Sequence, residues 1–189
     1  MKKLLVVLMT VALFAFPVSG FCLDLSEMTF GVNGGLMLPQ GDLDDIGLDM
    51  GFVIGGQAMM PSGVMDELTV GLCVTAGMAS GDYEESGWGY SVEGDIDFKM
   101  FEILPTARFT LPLDAGDIQV FGQAGVGFAW GEVEVDIDNY GSESDDDTEF
   151  GFAFGGGATF MENFEAVALY KKFDDIEYIT LTIGYNFPN

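Results

Sequence analysis

Tyr178 to Phe187 read "YITLTIGYNF", and every second residue is apolar: Ile179, Leu181, Ile183, Tyr185 and Phe187, with Thr180, Thr182, Gly184 and Asn186 between them. A period of two over such a length describes an extended strand with one oily face and one polar face. Working back from the C-terminus, the same alternation recurs over Ala166–Phe173, Phe150–Phe160, Ile118–Trp130, Phe101–Leu111, Leu68–Met78, Gly51–Met60 and Met28–Leu38. With the closing stretch, Ile179–Phe187, eight strands are predicted, and no stretch after the first 22 residues has the period of an amphipathic helix.

The chain opens "MKKLLVVLMTVALFAFPVSGFC", in which Lys2 and Lys3 precede an uncharged apolar run from Leu4 to Val18. That layout is a secretory signal peptide. The run is shorter than the roughly 20 residues of a spanning helix, and Pro17 closes it. Cleavage is expected after Gly20 or Cys22, which gives residues 1–22 as leader and 23–189 as a single exported domain. Cys73 is the only cysteine beyond the leader, so no disulfide framework holds the exported chain.

Beyond the leader, Lys99, Arg108, Lys171 and Lys172 face all 31 carboxylates, a formal balance of 4 − 31 = −27. Such a surface repels nucleic acid. Yet mean hydropathy is positive at +0.30 and phenylalanine numbers 17. Charge and oil must therefore be separated along the chain. The connections show how: "PSGVMDE", "PLDAGD" and "MEN" are short, whereas "PQGDLDDIGLD", "ASGDYEESGWGYSVEGDID", "GEVEVDIDNYGSESDDDTE" and "DDIEY" hold most of the acid. An up-and-down antiparallel sheet puts the three short turns at one end and the acidic connections at the other.

A soluble barrel turns its apolar face inward, and an outer-membrane barrel turns it to lipid around a polar lumen. Here the second face is rich in Gly, Thr, Asn and Gln, small enough for the narrow interior of eight strands, while the bulky phenylalanines share the other. The predicted fold is thus all-β: an eight-stranded antiparallel up-and-down transmembrane β-barrel with short periplasmic turns and long acidic extracellular loops.

Alternate apolar residues running to Phe187 resemble the C-terminal signal by which bacterial outer-membrane barrels are recognised by the barrel-insertion machinery, although Pro188 and Asn189 follow the aromatic here. In pattern and strand count the exported chain resembles the small eight-stranded barrels of the OmpX, Ail and OmpA-transmembrane-domain type. The resemblance implies a monomer in the bacterial outer membrane, in contact with lipid and lipopolysaccharide. It also implies a surface role such as adhesion, shielding or envelope stabilisation.

Some barrels of this architecture act enzymatically on lipid A with a histidine, and this chain has none, so a Ser/His/Asp relay and a histidine metal site are excluded. Cys73, on the lumenal face among Thr69, Gly71 and Thr75, reads as a small packing residue. No catalytic residue and no organic cofactor is expected. Glu102, Arg108 and Lys172 are expected to point into the lumen, with Lys171 outward near the rim. Such charges fill an interior by pairing. The rival uses of the interior are a narrow solute or ion path and a lipid-modifying site without histidine.

Centring the hairpin of the fourth and fifth strands on Asp114–Asp117 pairs Asp97 with Glu134, Asp95 with Asp136 and Glu93 with Asp138, with Lys99 opposite Glu132. The alternation puts these carboxylates outside and Ile96, Phe98, Val133, Val135 and Ile137 inside. Like charges directly opposed destabilise a strand pair. Such a ladder is relieved either by water and diffuse counter-ions on a solvated acidic face or by a weakly bound calcium or magnesium ion, for which Glu93, Asp95, Asp97, Glu134, Asp136 and Asp138 are the candidate ligands, since hard cations take carboxylate oxygens.

Overall fold

The computed structural model describes residues 27–87, 90–112, 117–137 and 141–188. The leader, residues 1–22, lies outside them. Eight strands follow one another: β1 (Thr29–Gln40), β2 (Gly51–Pro61), β3 (Leu68–Gly87), β4 (Tyr90–Thr110), β5 (Ile118–Ile137), β6 (Gly141–Phe160), β7 (Phe164–Phe173) and β8 (Ile176–Asn186). Each pairs antiparallel with the next, and β8 returns to β1, so the sheet closes into a barrel. A short helix, α1 (Asp42–Asp45), lies in the β1–β2 connection.

Alternation decides which way the oil faces. Phe52 is 63% exposed, Ile54 70%, Phe150 56% and Ile183 66%, and all stand on the outer wall. A protein surrounded by water does not leave so continuous an apolar band uncovered. The inner wall is lined by small residues because the strands' backbones crowd there. A β-carbon on Gly157 would stand 2.8 Å from Phe121 Cζ. The glycine therefore makes room for the Phe121 ring, which in turn carries a lumenal charge described below.

The two longest acidic connections are mainly strand: β4 and β5 continue outward to Tyr90 and Ile137 in the register expected above, and β3 and β6 extend beside them to Gly87 and Gly141, where loop is expected. β3 to β6 have 20 or 21 residues each, whereas β1, β2, β7 and β8 have 10 to 12. One half of the barrel wall thus rises well past the other at the end carrying the long connections. Its period-two signal is masked in the sequence because acidic residues occupy the outer positions of β4 and β5, where lipid-facing strands carry apolar ones, and both faces of β6.

At that end the lumen is filled by apolar side chains: Met37, Ile96, Phe98, Met100, Ala129, Phe173 and Ile176 are buried, with Leu43 of α1 and Leu48 packed among them. Gly41 (φ 57°) and Gly47 (φ 88°) lie in the left-handed region and let the β1–β2 connection fold back over the mouth. Leu48 then bridges to Gly81, and Asp49 N–H donates to Ser80 O at 3.0 Å.

Candidate functional site

Below the apolar mouth, the lumen holds two layers of paired charge. Near the short-turn end, Arg108 of β4 reaches across to Glu165 of β7, Nη1 to Oε2 at 2.9 Å. Gln57 and Gln123 complete the layer. Arg108 Nε and Nη2 donate to Gln123 Oε1 at 3.1 and 2.9 Å, and Nη2 donates to Gln57 Oε1 at 3.1 Å. Glu165 also accepts from Gln57 Nε2 at 2.7 Å and Asn186 Nδ2 at 3.1 Å. The guanidinium carbon sits 3.9 Å from the centre of the Phe121 ring, in cation–π contact.

Nearer the middle, Lys171 of β7 is paired with Glu102 Oε1, and Tyr178 Oη donates to Glu102 Oε2 at 2.5 Å. Glu102 is wholly buried. Between the layers lies a cavity of about 30 Å³, lined by Cys73, Thr75, Thr106, Gln123, Val167 and Thr180 among others. A water needs roughly 10–15 Å³ of such space, so the cavity has room for about two. Among the described residues no buried side-chain nitrogen or oxygen lacks a partner. Charges arranged this way fill and tie a lumen; a solute path needs open polar groups and a continuous bore.

Two sequence expectations are corrected here. Lys171, not Lys172, enters the lumen; Lys172 faces outward and pairs with Glu177 at 2.7 Å, its side chain 43% exposed. The cause is that β7 carries apolar residues at both parities, Ala166, Ala168 and Tyr170 against Val167, Leu169 and Phe173. Apolarity alone cannot orient such a strand. Glu165 does, because a carboxylate goes where Arg108 waits, and Lys171 shares its parity. Glu165, Gln57, Gln123, Tyr178 and Glu177 were missed as site residues. The legible signals were the parity of Glu165 with Lys171, and that of Tyr178 with Thr180 and Thr182 on the polar face of the closing strand.

Just above the apolar belt, Lys172 and then Tyr170 hydrogen-bond Glu177 and hold its carboxyl below the ordinary range. Glu149 goes the other way. Partial burial pushes its carboxyl up, with Asp175 and Asp174 adding to the push, against a hydrogen bond from Ile176 N–H at 3.3 Å.

On the tall half of the wall the register pairs Lys99 with Glu132, Asp97 with Glu134 and Asp95 with Asp136. β3 extends one row, setting Asp82 opposite Asp95. Asp95, Asp97 and Asp136 are exposed, while Ile96 and Phe98 are buried on the inner side. Lys99 Nζ lies 3.5 Å from Glu134 Oε2. Asp138 and the side chain of Glu93 fall outside the described residues. Among the described residues no group of three or more acidic or thiol side chains is arranged to hold a metal ion.

Along β8, Ile179, Leu181, Ile183 and Tyr185 stand on the outer wall. Phe187 N–H donates to Phe30 O at 2.7 Å, and its ring meets Tyr185 edge-on at 5.6 Å.

Residues 4–188 match the family model described as outer membrane protein beta-barrel domain. No curated protein matches the chain. Among solved structures, the chain is similar to Neisserial surface protein A at 14% identity, over 85% of this chain and 96% of that one, with a TM-score of 0.54. It is also similar to Ail of Yersinia pestis in complex with the heparin analogue sucrose octasulfate, at 19% identity over 85% and 97%, TM-score 0.45. A third is the N-terminal beta-barrel domain of Pseudomonas aeruginosa OprF, at 16% identity over 85% and 98%, TM-score 0.41. With an apolar outer belt, a paired and filled lumen and a family match over nearly its whole length, the chain belongs to the outer membrane protein beta-barrel domain family and resides in the bacterial outer membrane.

Proposed function

We propose that this is a non-enzymatic, non-conducting outer-membrane protein that works from its exposed long-loop end, in envelope stabilisation and shielding. The observation that carries this reading is the lumen, which among the described residues is crossed by two ion-paired layers, holds a cavity for about two waters and is filled at its mouth by apolar side chains. All four cations of the exported chain are engaged by glutamates, so the remaining acid is uncompensated. Ail is described with a heparin analogue; the acidic end of the present chain repels such polyanions, which disfavours that type of adhesion here.

In this reading the short turns face the periplasm and the tall acidic wall stands outside. The leader directs export, and the closing strand engages the barrel-insertion machinery. Calcium or magnesium shared between the outer carboxylates and lipopolysaccharide phosphates supplies the link to the envelope, as hard cations favour both oxygens. The test is complementation of a deletion strain challenged with detergent. The chain carrying Asp95→Asn, Asp97→Asn, Glu134→Gln and Asp136→Asn should reach the surface and leave the cells sensitive. Full restoration of resistance by that variant would contradict the proposed role.

A further inference from the structure

The turn that ends the short half of the wall is made of two carboxylates. The β7–β8 ladder closes at Phe173 opposite Ile176, so Asp174 and Asp175 alone form the turn, with Asp174 in the left-handed region at φ 45°. Aspartate tolerates that conformation better than most side chains. Both turn residues are exposed, whereas Phe173 and Ile176 on either side of them are buried. The Ile176 side chain lies over Gly131 of β5, its Cδ1 2.7 Å from where a β-carbon on that glycine would stand. Gly131 thus gives Ile176 its seat, and Ile176 roofs this side of the apolar mouth.

The β6–β7 ladder ends at Gly151 opposite Phe173, and past it a side chain still ties the turn to β6: Glu149 Oε2 accepts Ile176 N–H at 3.3 Å. The charges around that bond share one sign. Asp174 and Asp175 face Glu149 from the turn, and Asp147 shares its side of β6. Across on β5 stands Ala129, which carries no charge. Lys172 is turned to the outer face, where Glu177 engages it and Asp42 lies near, and Lys171 is held by Glu102 in the lumen. Ionised Glu149 therefore holds the turn by a hydrogen bond against the repulsion of two facing carboxylates. Protonated, it keeps an acceptor for Ile176 N–H, and its O–H can donate to either aspartate. We propose that the β7–β8 turn is a pH-operated clasp on the apolar mouth, docked on β6 when Glu149 carries a proton and released when Glu149 is ionised. The raised carboxyl of docked Glu149 agrees in sign, since the state that holds a proton more tightly is favoured as pH falls. Release lifts Ile176 from Gly131 and opens the mouth, while the ion-paired layers beneath keep the lumen shut in both states. The clasp acts on the mouth alone and is independent of the envelope role.

Hydrogen exchange of the Ile176 amide, followed by NMR on the full chain in micelles between about pH 4 and about pH 8, reads the clasp. Corrected for the intrinsic rate, its protection should fall by up to about ten-fold per pH unit as Glu149 ionises, because one proton is linked to docking. Amides in the body of the β7–β8 ladder should hold theirs. Glu149→Gln keeps an acceptor for Ile176 N–H without the charge, and its protection should stay high throughout. Asp174→Asn with Asp175→Asn removes the repulsion and should shrink the fall. An Ile176 protection that does not change with pH in the parent chain would overturn the proposal. So would a fall that persists undiminished in Glu149→Gln, or one shared equally by the whole ladder, which would be general unfolding. Conductance and detergent resistance are measured on other parts of the molecule, so failure here leaves the proposed function standing.

Discussion

Arg108 Nη1 lies 2.9 Å from Glu165 Oε2 inside the barrel, although 57 residues separate them along the chain. The bond ties β4 to β7 across the lumen, and both partners are buried, shielded from bulk water. Removing one member of a buried pair leaves the other uncompensated, which costs about 3–5 kcal/mol. Arg108→Met should therefore destabilise the barrel by that order in urea titrations. Arg108→Met with Glu165→Leu should recover most of the loss. An unchanged midpoint for Arg108→Met would mean that the pair is solvated.

Lys171 and Lys172 are adjacent and chemically alike, yet the structure gives them opposite fates. Lys171→Met leaves the buried Glu102 carboxylate with Tyr178 alone and should cost several kcal/mol. Lys172→Met breaks a rim pair and should cost less than about 1 kcal/mol. Equal losses in the two variants would restore the orientation that the sequence suggested.

That reversal marks where the sequence was legible. The closing strand could be oriented because its two faces differ at every position, with Ile, Leu and Tyr against Thr, Gly and Asn. β7 could not, since both its faces are oily and only Glu165 distinguishes them. The pairing of Asp95 with Asp136 followed from the turn centre and a constant register. The strand extensions around them were hidden by acid, which reads as loop although the same period continues. The Arg108–Glu165 and Lys171–Glu102 contacts depend on barrel closure, which brings β4 opposite β7, and no local pattern records that.

Glu149 predicts a pH effect. Its folded carboxyl titrates above the ordinary 4.5 because it is partly buried, so the folded chain holds a proton that the unfolded chain has released. Stability from this group is therefore greatest below the ordinary value and falls as pH rises through the raised one. Glu149→Gln keeps an acceptor for Ile176 N–H and removes this loss. The variant should melt higher than the parent at neutral pH, with the difference vanishing toward pH 4. A difference independent of pH would assign the effect to something other than titration.

Phe187, the residue after β8, ends the outward row that Ile179, Leu181, Ile183 and Tyr185 form on that strand. Phe187→Ser should lower the yield of assembled barrel in cells, leaving unfolded chain in the periplasm, as judged by the fraction that shifts in electrophoretic mobility on heating. Normal assembly of that variant would show that the closing strand is an ordinary strand end.

The filled lumen is the centre of the account, and conductance of the purified, folded protein in planar bilayers tests it most directly. The paired layers, the small cavity and the apolar mouth predict no conductance above the background of the bilayer, at either sign of applied voltage. Sustained unitary currents from the parent chain would contradict the sealed lumen and with it the assignment of function to the exposed surface.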